Sequence, residues 1–474
     1  MTPLVVWCRE CGMDADPRDQ RLRELEAENA TLRAQVQAQA EQITRLQQLI
    51  RQLQDRIEEL ERAAARQAAP FRRKDKDRKP PEQHGTPGRK PGHPPARREE
   101  PPQIDDHVEV RLTGCPHCGG PVDSVEPCEQ IIEDLPPVRP HVTRLVTYVG
   151  RCRRCGNVRS THPMQVSTAV GAAKVHLGAR ALALAALLNK HLGLPMRPTC
   201  RVLHHLGGLR LTPGGLAQAL HRVAEKTKGS FLELVAGLRT QRAVYADETS
   251  WWVGGTGSWL WTFTTPDRTI YRVEKSRGKD VVLDTLGAHF AGVLTSDCLA
   301  SYENLPYVMH KCYAHHLKAI AAARDRKPED QRAYFNEVGV LLHAAMTLDR
   351  MRGDLSPPEF RRIRQNLDPR ADALILPPRS DPDEERVANR LRKRRQWLFT
   401  FLDHPGVEAT NNRAERALRP AVIARKLSCG NKTERGMHTW EILASLAATC
   451  TQRGQNLVEL LRPNLLLPNP FPAR

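Results

Sequence analysis

Residues 22–60 leave this chain the fewest choices. Apolar residues recur in a heptad, with Leu22, Asn29, Val36, Ile43, Ile50 and Ile57 at one core position. Leu25, Leu32, Gln39, Leu46, Leu53 and Leu60 occupy the other. No Gly or Pro interrupts the run, so it reads as one long helix. Branched residues at the first position and Leu at the second favour a parallel two-stranded coiled coil. Asn29 in that seam would fix register and strand number. The remaining faces are Arg, Glu and Gln, so only a narrow stripe can be buried. The expectation is a homodimer through 22–60; the competing arrangement lays the helix on the body of its own chain.

The heptad stops at a stretch, 67–103, rich in Pro, Gly and charge and without periodicity. It reads as an extended linker. Ten Lys or Arg face five acids between 71 and 100. Arg89 and Lys90 lie in its Gly-Arg-Lys-Pro-Gly-His part, which either follows a DNA backbone or is a solvated tether. The whole chain of 474 residues carries 72 Lys and Arg against 54 Asp and Glu, a net +18. That balance argues against a compact acidic metabolic enzyme and for a polyanionic partner, nucleic acid above all. With 40% hydrophobic residues, uniform disorder is excluded, and about three domains of roughly 150 residues fit the length. The start, MTPLVVWCRECG, lacks a signal-peptide pattern. The run LALAALL (182–188) is too short to span a membrane. A soluble, cytoplasmic protein with no membrane partner is expected.

Six of the 12 cysteines stand in C-x-x-C pairs. Cys115 and Cys118 follow HVEVRL (107–112), and Cys152 and Cys155 follow TRLVTYVG (143–150); both stretches read as strands. Two such knuckles, each followed by Gly, predict a zinc ribbon in which four thiolates satisfy tetrahedral Zn²⁺. Cys128 is left over. Cys8 and Cys11 form half a site, to be completed across a dimer or to do nothing. Further on, 178–192 has an apolar face. The stretch 198–227 reads helix, Gly-containing turn, Thr212-Pro213 start, helix. That pattern fits a DNA-binding helix-turn-helix and equally an ordinary helical core.

From 242 the period changes to two. RAVYADETSWWVG (242–254) is expected to be a strand ending on Asp247, followed by strands at 258–265 and 269–273. A helix at 276–290 and a strand at 291–297 ending on Asp297 complete the series. Three antiparallel strands, a helix, then a strand beside the first is how an α/β ribonuclease-H-like fold begins. Its first and fourth strands are neighbours, which would bring the two aspartates together; the competing reading has both as ordinary strand-end turn residues. Adjacent carboxylates repel unless a cation lies between them, and Mg²⁺ suits that role. Two such ions would serve phosphoryl transfer, given a third carboxylate.

In order along the chain stand YADET (245–249), G-x-W-L-W (257–261), SD (296–297), CYAHHLK (312–318), NNRAERALRP (411–420) and RKLSCGN (425–431). With the coiled coil, basic linker and CPHCGG knuckle, these blocks resemble the transposases of the IS66 type from bacterial insertion sequences. The resemblance implies a DDE catalytic domain using Mg²⁺ or Mn²⁺, with Asp247, Asp297 and Glu415 as catalytic ligands. It implies a multidomain, nucleoid-associated DNA transposase acting on transposon ends and target, in a family whose members are often encoded beside small accessory proteins. Tyr245 replaces a common His, and Cys429 stands where relatives often have an aromatic or small residue; neither touches the three acids.

Asn411 looks like a helix cap, and Glu415 and Arg419 share a helix face. Glu408, seven residues earlier, is the rival acid and would share that face on a continuous helix. Arg413, Arg416, Arg419, Arg425 and Lys426 are candidate DNA contacts. So are Arg394 and Arg395, unless their basic run is only a solvated face. His315, in the Cys312-x-x-His315 element, is expected to be structural or to face phosphate. The long interval before Glu415 reads as an all-helical insertion, and 437–456 as an amphipathic helix closing the sheet. The expected divisions are 1–19 with the first cysteine pair, 20–66 coiled coil, 67–103 linker, 104–168 zinc ribbon and 169–232 helical reader. The catalytic core follows at 233–317, the insertion at 318–404, the core's second part at 405–436 and the C-terminal element at 437–474. The competing reading is a catalytically inactive DNA-binding repressor or domesticated factor, in which the three acids need not converge.

Overall fold

Helix α1, Pro17–Gln67, carries the heptad in one uninterrupted piece. Residues 17–67, 100–162, 164–166 and 175–466 are described in this computed structural model. Cys8, Cys11, Arg89 and Lys90 lie outside them, as do the side chains of Leu22, Leu53, Ile57 and Leu60. The chain divides into two units, 1–132 and 133–474. Along α1 the seam residues Leu25, Leu32, Val36, Ile43, Leu46 and Ile50 are all solvent-exposed. Among the described helices none is long and apolar enough to cross a membrane.

Residues 107–112 are not the strand that their alternation suggests. They run irregularly, with Val108 and Val110 almost fully exposed. A strand needs a neighbour to take its N–H and C=O groups, and this segment pairs with none among the described residues. Around Cys115 the chain turns tightly: Gly119 N–H donates to Cys115 O at 2.8 Å, and Cys115 N–H to Gly120 O at 2.9 Å. In the second unit, only the end of the expected 143–150 strand is realised. Strand β1, Val149–Cys152, pairs antiparallel with β2, Gly156–Arg159. Cys152 ends β1, and Cys155 lies in the turn between the strands.

Helix α2, Ala179–Ala186, passes into a π-helical turn at Leu187–His191. Helix α3, Met196–Gly207, ends on left-handed Gly208 (φ +64°). Helix α4, Pro213–Leu238, starts where Thr212 Oγ1 accepts from Gly215 N–H at 3.1 Å, with Pro213 at the first helical position. A turn therefore joins two helices as expected. The second, however, runs on well past 227, and its Leu216, Leu220 and Val223 side are sunk in the core.

The sheet comprises β3, Ala243–Val253, β4, Thr256–Thr264, β5, Thr269–Glu274, β6, Val293–Ser296, and β7, Val308–Lys311, in the order β5-β4-β3-β6-β7. Helix α5, Lys279–Leu286, lies between β5 and β6 in sequence and is shorter than its 276–290 pattern, ended by Gly287 at φ +82°. Pairs β3–β4 and β4–β5 are antiparallel; β3–β6 and β6–β7 are parallel. This is the strand order that the sequence predicts, with the first strand beside the fourth, and with one correction. Strand β3 does not end at Asp247 but runs on to Val253, paired throughout with β4. The reversal is made by Gly254 and Gly255, both left-handed, as a two-residue hairpin loop of this kind requires.

Beyond β7, an insertion forms from α6, Tyr313–Arg324, α7, Ala333–Arg350, α8, Pro357–Ile375, α9, Pro382–Arg392, and α10, Thr400–Asp403. It buries its own apolar core, including Phe335, Leu341, Leu342, Ala371, Leu391 and Phe401. Helix α11, Asn412–Ser428, then returns to the sheet. Helix α12, Glu434–Gln452, was expected to be amphipathic, but it is buried on nearly every side from Thr439 to Ala447. Trp440 and Ala444 pack with sheet residues Trp251, Leu260 and Tyr271. Ile442, Leu443 and Leu446 pack with α2, α4 and α13, Leu457–Leu466. The helix therefore closes the helical region as well as the sheet.

Helix α12 also caps the sheet edge. On β5, the N–H groups of Val273, Tyr271 and Thr269 donate to Glu441 Oε1 (2.6 Å), Ser445 Oγ (2.9 Å) and Thr449 Oγ1 (3.2 Å). Acceptors four residues apart on a helix repeat every ~6.0 Å. Donors two apart on a strand repeat every ~6.6 Å, so the two rows run in step. An edge otherwise open to pairing with another chain is thereby covered.

Candidate active site

Tyr245 of β3 pairs with Thr295 of β6 in the parallel register. Asp247 comes two residues further along β3, and Asp297, two residues after Thr295, stands just past the end of β6. Since side chains alternate, both point to the same face at the same height. That is the face covered by α11. Glu248, one residue later, points to the opposite face beside α5.

Asp247 Oδ1 accepts the Glu248 N–H at 2.9 Å, and Asp297 Oδ1 the Leu299 N–H at 2.8 Å. Among the described residues neither forms an ion pair. Burial first, then the charges of Glu248, Asp297 and Glu415, push the Asp247 carboxyl well above its ordinary range. Across the β3–β4 pair, the Thr262 hydroxyl on the same face is buried without a partner. Asn411 Oδ1 is likewise buried and unpartnered. An all-oxygen set with crowded, unneutralised carboxylates is what a hard divalent cation requires, so these residues fit Mg²⁺ or Mn²⁺.

Glu415 lies in the first turn of α11, half-exposed, on the same side of the sheet. Its helix is fixed by stitches to β3 and to the β7–α6 junction. Asn411 occupies the cap position, but its side chain does not cap the helix; Nδ2 donates instead to Ala246 O at 2.7 Å, next to Asp247. Ala409 O accepts from both Tyr313 N–H and His310 Nε2, each at 3.0 Å. Burial holds His310 down at about 4, so it is a neutral strut. The Tyr245 hydroxyl accepts the Glu408 N–H at 2.8 Å. Glu408 precedes the helix, so the continuous helix that would have aligned it with Glu415 does not exist; its carboxylate is paired with Arg413.

The basic candidates divide into two groups. Arg394 is paired with Glu303, Arg395 with Asp368 and Asp372 at 2.6 Å, and Arg413 with Glu408. Arg425 braces α11 on β3 through Thr249 Oγ1 (2.9 Å) and Ser250 Oγ (2.7 Å). Arg416, Arg419 and Lys426 are exposed and have no hydrogen-bond partner among the described residues. Their spacing sets them along one outer stripe of α11.

Several groups around the site escaped the sequence reading. Glu248 is buried, held by Arg277 at 2.7 Å and by the Tyr302 hydroxyl at 2.9 Å. Arg277 in turn stacks on Trp259. Lys311 is buried behind Asp297, donating to Ser296 Oγ (3.0 Å) and Tyr302 O (3.2 Å). Burial brings it down to about 8. Only the adjacency of Glu248 to Asp247 in YADET hinted at the first; nothing in the sequence marked Lys311 as internal. Cys312, His315 and Glu415 place a sulfur, a ring nitrogen and a carboxylate oxygen within 4.8 Å of one another.

At the second cysteine knuckle, the N–H groups of Arg154 and Cys155 donate to Cys152 Sγ, each at 3.4 Å. These bonds lower the Cys152 thiol below its ordinary range. Cys115 is lowered in the same way by the backbone of His117 and Cys118. Each turn is thus prepared to hold thiolate.

Residues 174–439 match the family model described as "Transposase IS66 family". A curated protein of Sinorhizobium fredii, uncharacterized protein y4qI, is 27% identical over 260 residues. That alignment covers 47% of this chain and 47% of the relative, so the chain spans about half the length of the curated protein it matches.

Proposed function

Because the chain belongs to the IS66 family of transposases, we propose that it binds the ends of a mobile DNA element, cleaves there and joins the freed 3′-hydroxyl to target DNA. The observation that carries the reading is the level placement of Asp247 on β3 and Asp297 just past the end of the adjacent parallel β6, facing the helix that bears Glu415. Asp247, Asp297 and Glu415 would hold Mg²⁺ or Mn²⁺. When bound, the metal supplies Lewis acidity toward the scissile phosphate and favours an oxyanion nucleophile.

The chain's own residues do the rest. Asn411 and Tyr245 fix the start of α11 and the segment before it relative to Asp247, so the third carboxylate is presented on a rigid element. The outer stripe of Arg416, Arg419 and Lys426 grips the DNA backbone beside the site. Its contacts are charge-based and weaken with salt. In the first step water displaces the 3′ oxygen at the element's end; in the second that 3′-hydroxyl displaces an oxygen of the target. Both are in-line displacements at phosphorus, and neither needs a covalent link to protein.

The exposed apolar seam of α1 supports pairing of two copies as a parallel coiled coil, which would bring two ends into one assembly. Each C-x-x-C turn offers a cysteine pair of the kind that zinc takes. With the α3–α4 helices, these turns would contribute to recognition of the ends.

A strand-transfer assay tests the proposal, using duplex DNA bearing the element's terminal repeats and Mg²⁺. Asp297→Asn is expected to lower both cleavage and joining by about 10²–10³-fold or more while leaving DNA binding in place. Product formation equal to that of the unaltered protein would sink the assignment.

A further inference from the structure

Cys312, His315 and Glu415 form a ligand set chemically unlike the aspartate pair. Cys312 is fully buried at the junction of β7 and α6. Its sulfur accepts the Asn411 N–H at 3.0 Å, and the N–H groups of Ala314 and His315 also point to it. His315, one turn on, shares its side of the helix. Its Nδ1 is buried with no hydrogen-bond partner, while Nε2 lies 4.0 Å from Glu415 Oε1. A helix-capping role explains the N–H groups on sulfur. It does not explain an unpartnered ring nitrogen, nor a carboxylate drawn to the same point from another helix.

We infer that Cys312, His315 and Glu415 form a binding site for a thiophilic divalent ion, zinc above all, and that its occupancy withdraws Glu415 from the aspartates. Thiolate, imidazole and carboxylate together suit zinc and not magnesium. Zinc ligands in a tetrahedron stand about 3.3–3.6 Å apart. The three atoms here span 4.8 Å, so each outer side chain needs to move by about an ångström. His315 and Glu415 are 37% and 40% exposed and are free to do so, closing over the sulfur beneath and leaving a fourth position to water.

Glu415 is thus shared between two sets of ligands. Its charge acts on Asp247, yet its oxygen lies with sulfur and imidazole. An ion bound there would remove the third carboxylate from the hard-cation centre and antagonise magnesium-supported cleavage. This regulatory half rests on Glu415 being the third acid; the ion site itself does not.

The test uses the full chain, stripped by chelator and titrated with zinc chloride in the presence of millimolar Mg²⁺. Cys312→Ser and His315→Ala are each expected to bind one zinc fewer per chain than the unaltered protein. The knuckle cysteines contribute equally in all three. His315→Ala, at a half-exposed position, keeps the test open should the buried substitution impair folding, which melting curves would reveal. An unchanged zinc count in both variants overturns the site. In the cleavage assay, micromolar zinc is expected to inhibit the unaltered protein at least ten-fold more than Cys312→Ser. Equal inhibition overturns the antagonism. Failure of the zinc count leaves the transposase reading intact, and full activity of Asp297→Asn sinks that reading while leaving the zinc count standing.

Discussion

Replacing Asp247 by Asn is expected to abolish DNA cleavage and, at the same time, to stabilise the metal-free protein at neutral pH. Burial and three neighbouring carboxylates raise the Asp247 carboxyl well above its ordinary value of 3.8. A raised folded-state value means that its contribution to stability is fully present below the unfolded value. It is lost as pH rises through the folded one. The metal-free parent should therefore fall behind the variant progressively above about pH 4, by about 0.5–2 kcal/mol once Asp247 is ionised. Saturating Mg²⁺ should reverse the order, because only the parent gains a bound ion. Thermal unfolding from pH 4 to 8, with chelator and with Mg²⁺, checks both signs. Identical profiles for the two proteins would show that Asp247 is not under electrostatic pressure.

The second large effect is on folding. Trp261 is fully buried, its Nε1–H donates to Ser276 O at 3.2 Å, and its ring meets Tyr302 edge-on at 5.8 Å. Trp261→Ala should cost about 3–5 kcal/mol, read as a lower denaturant midpoint. The loss should reach the site as well. Tyr302 links Trp261 to both Glu248, through its hydroxyl, and Lys311, through its carbonyl. Cleavage by the folded fraction should fall even where the variant is mostly native. An unfolding free energy within about 1 kcal/mol of the parent's would mean that the core on the α5 face is not centred on this ring.

Much of this architecture could be read from residue order. Strand alternation from 242 to 297 is strong, so the first four strands, the adjacency of β3 and β6 and the approach of Asp247 to Asp297 follow from pattern and topology. The full extent of β3 is hidden because Asp247 and Glu248 look like turn residues. Pairing with β4 and the Gly254-Gly255 hairpin overrode that local preference. At 107–112 the failure ran the other way: alternation promised a strand that had no partner to pair with. Charge was the least legible signal. Arg394 and Arg395 looked like a DNA-facing run yet are spent on Glu303, Asp368 and Asp372, while Glu248 and Lys311 lie inside. Which charges are internally matched depends on contacts between segments far apart in sequence, and no local pattern encodes that.

The acceptor row of Glu441, Ser445 and Thr449 along β5 has a consequence for biosynthesis. Strand β5 leaves the ribosome long before α12 does. At about 5–20 residues per second, roughly ten to thirty seconds separate them. Throughout that interval the nascent chain displays an uncovered strand edge, and neighbouring nascent chains on one message display the same edge. Slowing elongation between 274 and 434, or depleting the chaperones that shield such edges, should therefore divert newly made protein into insoluble material without altering the stability of molecules already complete.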